Sequence, residues 1–471
     1  MEGQVLAMIF LLMIILVASP SPSSCARRLT DFPTSTFRND DFIGYYGDQV
    51  ASETSNPSEK YYGDAVAARF DKYYDARPNR QSDDDLQAFP KEWGSLATST
   101  FNVMNYGAVG NGQADDKQAF LKAWRDVCGS TQETPTLIIP KGNIFLVSSL
   151  VFQGPCKAAR VKFQLNGNLV APNNMNAWSN KEKWVQFTNV QDLIINGGGQ
   201  IDGQGQVWWK VCDDTDCPRP TALHINKCDG LRLSNITHID SARNHISISS
   251  CNDVEISDIL IKAPEDSPNT DGIDISTSTN IIIKQSFIGT GDDCIAINSG
   301  SSHINITNLL CGPGHGISVG SLGAHGSYST VEDVQVRNCT FRGTTNGARI
   351  KTWQGGSGYA RHIIFENIII QAAKNPIIID QKYSDAFLTG FGTVLAQRNA
   401  VQVSDVKFHN FRGFIDGDTA ITLNCDSQIG CKEIVLDQID ITSSDPSKKV
   451  TAFCQNVQGT EVSVSPNLKC F

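Results

Sequence analysis

The sequence predicts an all-β protein: a right-handed parallel β-helix of about ten coils with a short N-terminal capping helix. Two observations lead there. The first is an apolar–any–apolar triplet at Leu231, Val254, Ile281, Ile304, Val334 and Ile363, spaced 23, 27, 23, 30 and 29 residues apart. It recurs outside that run at Val161, Leu193, Val406 and Ile434. The second is a parallel series: "ISI" at Ile246, "IDI" at Ile273, "IAI" at Ile295, "ISV" at Ile317, "ARI" at Ala348, "III" at Ile377 and "ITL" at Ile421. A period of ~20–50 residues marks a solenoid, and two short alternating segments per period read as strands. A β-propeller is the alternative, but its blades need ~40 or more residues.

Along the chain, the first element is an apolar run from Val5 to Val17, too short to span a membrane. Ser24 and Ala26 follow as a small-x-small cleavage site, so residues 1–26 read as a signal peptide and the protein as secreted. Residues 27–100 are polar and repeat "YYGD" at Tyr45 and Tyr61. They read as a flexible extension or prosegment, the alternative being a recognition segment. "DDKQAFLKAWRDVC", ending at Cys128, has a helical pattern and suits a cap on the open end of the stack. Residues 101–471 form the solenoid domain.

The formal net charge of −10 argues against a general nucleic-acid or membrane binder. Fourteen cysteines in a secreted chain imply disulfides. Cys294 and Cys311 flank one candidate region and could pin it. Cys228 and Cys251 stack in a way compatible with a bond that the sequence does not demand. "CDDTDC" at Cys212 reads as a solvated, disulfide-closed loop, and Trp208 and Trp209 as packing residues. No C-x-x-C pair occurs and histidine is scarce, so a zinc site is not expected. Asn235, Asn305 and Asn338 stand in N-x-T sequons as glycosylation candidates.

Aligning the second series collects the chemistry. Two residues before each apolar start stand Asn244, Asp271, Asp293, His315, Asn346 and Asn375. Adjacent coils are ~4.8 Å apart, so Asp271 and Asp293 become neighbours, with Asp292 beside them. Arg349 and Lys351 point outward on the next coil by strand parity. The three asparagines suit a stabilising polar ladder, but three close carboxylates repel, and at least one should hold its proton unusually tightly. Paired carboxylates equip a chain for glycoside hydrolysis; the coil spacing does not decide between inversion and retention. The cations either grip a carboxylated sugar or neutralise the aspartates. His315, between glycines, reads equally as functional or structural.

"NTD" at Asn269, "GDD" at Gly291, "GHG" at Gly314 and "RIK" at Arg349 occur in that order. Together with the repeat, this set resembles the polygalacturonases (pectinases) of glycoside hydrolase family 28, especially the plant ones, over Phe101 to Phe471. The resemblance implies inverting hydrolysis of the 1,4-α-galacturonosyl bonds of pectin. It implies Asp292 as general acid, Asp271 and Asp293 as holders of the attacking water, and His315 as support for the acid. Arg349 and Lys351 would bind galacturonate carboxylate, and Asn269 and Tyr383 would complete the subsites, with no cofactor. Many plant members carry a cysteine where Ser384 stands; here none lies between Cys339 and Cys425. The expected partner is the pectic polysaccharide, the expected state a monomer in the cell wall, and endo cleavage is expected over exo. Rival readings are a pectate lyase, a rhamnogalacturonan hydrolase and a wall-binding solenoid without activity.

Overall fold

Every strand pairing in the computed structural model, which describes residues 99–212, 217–383 and 399–470, is parallel. The strands form one sheet of 20 and one of 11 among the described residues. The smaller, called here the front sheet, runs from Leu150–Gln153 to Thr451–Gln455, and each strand pairs with its counterpart one coil on. This is the expected parallel β-helix. Its front sheet has eleven strands where about ten coils were expected. The triplet register holds as Ile246↔Ile273↔Ile295↔Ile317↔Ala348↔Ile377↔Ile421. All seven side chains are fully buried, an unbroken column in which each isoleucine contributes about 1.5–3 kcal/mol by burial.

The coil corners are set by left-handed residues. Asp258, Gln285, Asn308, Asn338, Asn367, Asn410 and Gln438 form a column with φ between 50° and 57°. Asn and Asp tolerate this conformation because their short polar side chains bond locally. Their amides also bond between coils: Asn367 Nδ2 donates to Asn338 Oδ1 (3.2 Å) and Asn410 Nδ2 to Asn367 Oδ1 (2.7 Å). The corner lets one long strand, Thr279–Gly289, pair with both Asn252–Ser257 and Leu260–Lys262 of the preceding coil. Asn235 and Asn338 lie exposed at these corners, and Asn305 half-buried in the strand Ser301–Cys311; all three are away from the front sheet.

The helix expected near Cys128 spans Lys117–Gly129 and buries Ala119, Phe120, Ala123, Trp124 and Val127. Phe120 meets Phe145 edge-on, and Trp124 packs on Phe152 and Phe187. A disulfide from Cys128 to Cys156 ties down its end. Bonds also join Cys212 to Cys217, Cys294 to Cys311, Cys425 to Cys431 and Cys454 to Cys470. Cys228 and Cys251 stack as expected but remain thiols. Each sulfur sits where a backbone N–H needs an acceptor: Val190 N donates to Cys228 Sγ (3.4 Å) and Cys228 N to Cys251 Sγ (3.3 Å). Trp208 is fully buried against Trp178, and Trp209 packs against the core, as read from sequence. The signal peptide, and the extension up to residue 98, lie outside the described residues, as does Ser384.

Two histidines occupy the interior behind the front sheet. His245 Nε2 accepts from Ser241 N (3.3 Å), and its Nδ1 meets the Asp271 carbonyl (3.1 Å). Neither ring nitrogen of His238 has a hydrogen-bond partner. Burial holds both rings far below the usual histidine range, His245 at about 4. The unfolded chain therefore takes up these protons first, and stability present above pH ~6.5 is lost as the pH falls toward 4. For His245 the loss amounts to about 3 kcal/mol. His238→Leu is expected to raise the melting temperature, and more at pH 5 than at pH 8, in thermal unfolding scans. An equal gain at both values would contradict the buried neutral state.

Candidate active site

The "NTD" and "GDD" motifs meet because one packs on the other. Thr270 is fully buried, and its Oγ1 accepts from Gly291 N (3.0 Å) and pairs with Ser267 Oγ (2.7 Å). Only glycine fits at 291, since a Cβ there would lie 2.0 Å from the Ser267 carbonyl. This contact fixes the two turns, and Asn269 then places Nδ2 3.3 Å from Asp292 Oδ2. Gly272 N bonds Asp293 O (2.9 Å), which seats Asp271 one coil from Asp293 as the repeat predicted. Cys294–Cys311 pins the start of the next strand.

Asp293 is the buried centre, its side chain 1% exposed. Its Oδ1 accepts from Arg349 Nη2 (2.5 Å) and Ser318 Oγ (2.8 Å), and its Oδ2 from Lys351 Nζ (3.0 Å). Both cations thus face the carboxylate cluster, as strand parity implied. Asp292 lies nearer solvent. Its Oδ1 accepts from Asp293 N (2.8 Å) and meets His315 Nδ1 (2.9 Å). Tyr383 borders the group, with Lys351 Nζ 5.3 Å from its ring centre and Trp353 against it edge-on.

The carboxyl groups differ electrostatically. Burial pushes Asp292 up, but the hydrogen bond and charge of His315, with Lys351, outweigh it and hold the group below the ordinary range. Burial, then the carboxylates of Asp274, Asp292 and Asp293, push Asp271 well above that range against Lys351. The expected split among crowded acids is present. Burial would strip Lys351 of its proton, but Asp293 outweighs it and raises the lysine.

Sequence reasoning missed Asp274. It shares an outward column with Ser247, Ala296, Ser318 and Arg349. The parity argument applied to Arg349 would have found it and Ser318. Asp274 Oδ2 accepts from Asn244 Nδ2 (2.5 Å), and Asn244 Oδ1 from Thr221 Oγ1 (2.5 Å). Burial and Asp293 push Asp274 up to about 7, against Arg243 and Asn244. Asn244, read as a ladder residue, therefore supports a fourth carboxylate. Asn375 does bond the neighbouring coil, through Thr345 O (3.1 Å).

Asp292, Asp293 and His315 each bring one ligand atom within 4.8 Å of the others, the only such trio among the described residues. A dication there would have to displace the Arg349, Lys351 and Ser318 donors from Asp293. The arrangement suits proton transfer to and from a bound anion better than metal binding.

The family model described as Glycosyl hydrolases family 28 matches residues 128–465. The Arabidopsis thaliana protein named Probable polygalacturonase At3g15720 is 47% identical over 376 residues, covering 79% of this chain and 81% of that protein. A polygalacturonase of Malus domestica is 40% identical over 376 residues, covering 78% and 79%. Among solved structures, the polygalacturonase from Erwinia carotovora ssp. carotovora aligns with a TM-score of 0.62 at 23% identity. That alignment covers 80% of this chain and 100% of that one, and it supports the fold alone.

Proposed function

The chain belongs to glycosyl hydrolase family 28 and is a glycoside hydrolase, and from that premise we propose that it is a polygalacturonase cleaving the 1,4-α-D-galacturonosyl bonds of pectin with inversion. The observation that carries this reading is the buried Asp293 matched by Arg349 and Lys351 beside Asp271 and the Asp292–His315 pair. A galacturonate carboxylate entering there draws the two cations toward itself, Arg349 through its planar fork. Asp293 is then released to hold the attacking water together with Asp271. Water attacks the anomeric carbon, its proton passes to that carboxylate pair, and Asp292 protonates the departing oxygen as the glycosidic bond breaks. Asn269 and Tyr383 border the sugar.

The free site holds Asp292 low and Asp271 high, the reverse of what the reaction needs. Substrate corrects the first. An anionic sugar adds negative charge and excludes water, and both raise the Asp292 pKa. In the free site Lys351 opposes the upward push on Asp271. Asp274 adds to it, so Asp274→Asn is expected to let Asp271 ionise at lower pH. With the two groups so ordered, the high-pH limb of kcat/KM, which reports the free enzyme, follows Asp271, and that limb then moves down by about one unit; an unmoved limb would separate the two groups.

We further propose endo cleavage by a secreted monomer with no cofactor. Polar side chains on the front sheet continue past the site on both sides, Ser247 on one and Asp380 and Asn424 on the other, which suits a polymer lying across it. Glycans on Asn235, Asn305 and Asn338 would leave that face clear. The test is to follow reducing ends and product sizes from long polygalacturonate without calcium. Oligomers of mixed length without an ultraviolet-absorbing unsaturated end are expected. Monomer alone would overturn endo action, and an unsaturated product would overturn hydrolysis.

A further inference from the structure

Arg219 precedes the front strand Thr221–Asn226 and is 3% exposed. Its Nη1 donates to the Pro268 carbonyl (2.5 Å) and to the Ala242 carbonyl (3.3 Å). Its Nη2 donates to Asn269 Oδ1 (2.6 Å). Arg219 thus grips the turn that carries Asn269, whose own backbone is left-handed at φ 53°. A carboxamide has one accepting end and one donating end. With its oxygen held by the guanidinium, the Asn269 amide can turn only its N–H end to Asp292 Oδ2. His315 and Asp293 N occupy the other carboxyl oxygen. The orientation of the Asp292 carboxyl is therefore set from both sides, and one side is anchored by the buried Arg219.

We propose that Arg219 is a positioning residue for the proton donor: through Asn269 it orients the Asp292 carboxyl and sets the pH at which that group gives up its proton. The inference rests on the reading of Asp292 as the acid. An N–H donor favours the ionised carboxyl, and a cation behind that amide strengthens the effect. Loss of the guanidinium therefore raises the pH at which Asp292 deprotonates inside the substrate complex. It also frees the amide to rotate.

The test measures kcat and KM against pH on polygalacturonate for the full chain, Arg219→Gln and Arg219→Lys. For Arg219→Gln the high-pH limb of kcat is expected to move up by about half to one pH unit, with kcat at its maximum about tenfold lower and KM within about twofold. Lysine keeps the charge but not the fork, so Arg219→Lys is expected to shift the limb less. A folded Arg219→Gln protein with the wild-type limb overturns the proposal, whatever its kcat. If glutamine prevents folding, the lysine variant decides: a limb moved upward supports the proposal, and a wild-type profile overturns it. Asp292→Asn run in parallel separates the two failures. Activity surviving in that variant sinks the acid assignment; activity lost there with an unmoved Arg219 limb sinks only the positioning role.

Discussion

Asp292→Asn is expected to reduce the release of reducing ends from polygalacturonate by about a thousandfold, the scale of a lost general acid. The substitution keeps the shape of the side chain and, through its remaining oxygen, the acceptor toward His315 and Asp293 N; only the bond from Asn269 loses its acceptor. What it removes is a proton that can be given to the leaving oxygen. Far-ultraviolet circular dichroism should be unchanged, because the group is not in the apolar column that holds the coils together. The loss should fall on kcat with KM little altered, since an acid acts on the transition state. Near-wild-type turnover would move the donor role elsewhere, and His315 would be the first group to examine.

Lys351→Met is expected to cost about 3 kcal/mol of stability and to weaken substrate binding together. The carboxylate of Asp293 is 1% exposed and has two cationic partners. Removing one leaves a buried charge half-matched, which is far more costly than removing both partners of a pair. The ammonium, 11% exposed on its side chain, cannot be replaced by solvent without opening the cluster. The double variant Lys351→Met with Asp293→Asn should recover part of the lost melting temperature but none of the activity. A single variant as stable as the parent would mean that water already reaches Asp293.

The repeat made the column Asn244–Asp271–Asp293–His315 legible, because a coil-to-coil stack turns sequence offsets into neighbours. Arg349 and Lys351 followed from strand parity, and Asp274 and Ser318 were legible by the same rule. Arg219 was not. It reaches Asn269 across 50 residues from a segment outside both triplet series, and only side-chain length and burial bring it there. The fate of Cys228 and Cys251 was equally hidden, since a stacked pair of thiols and a disulfide require the same backbone spacing. The proton preference of Asp292 against Asp271 also needed coordinates. It depends on burial and on the contact between Asp292 and His315, and residue order does not encode those.

Each coil rests on the coil before and the coil after, yet the proposed catalytic groups come from consecutive turns in the middle of the stack. Heat that frays the last turns, or a protease that trims them, removes ordered backbone before it touches Asp271, Asp292 or Arg349. Catalysis should outlast the first loss of spectroscopic signal, and end quite suddenly when the unravelling front reaches the central turns.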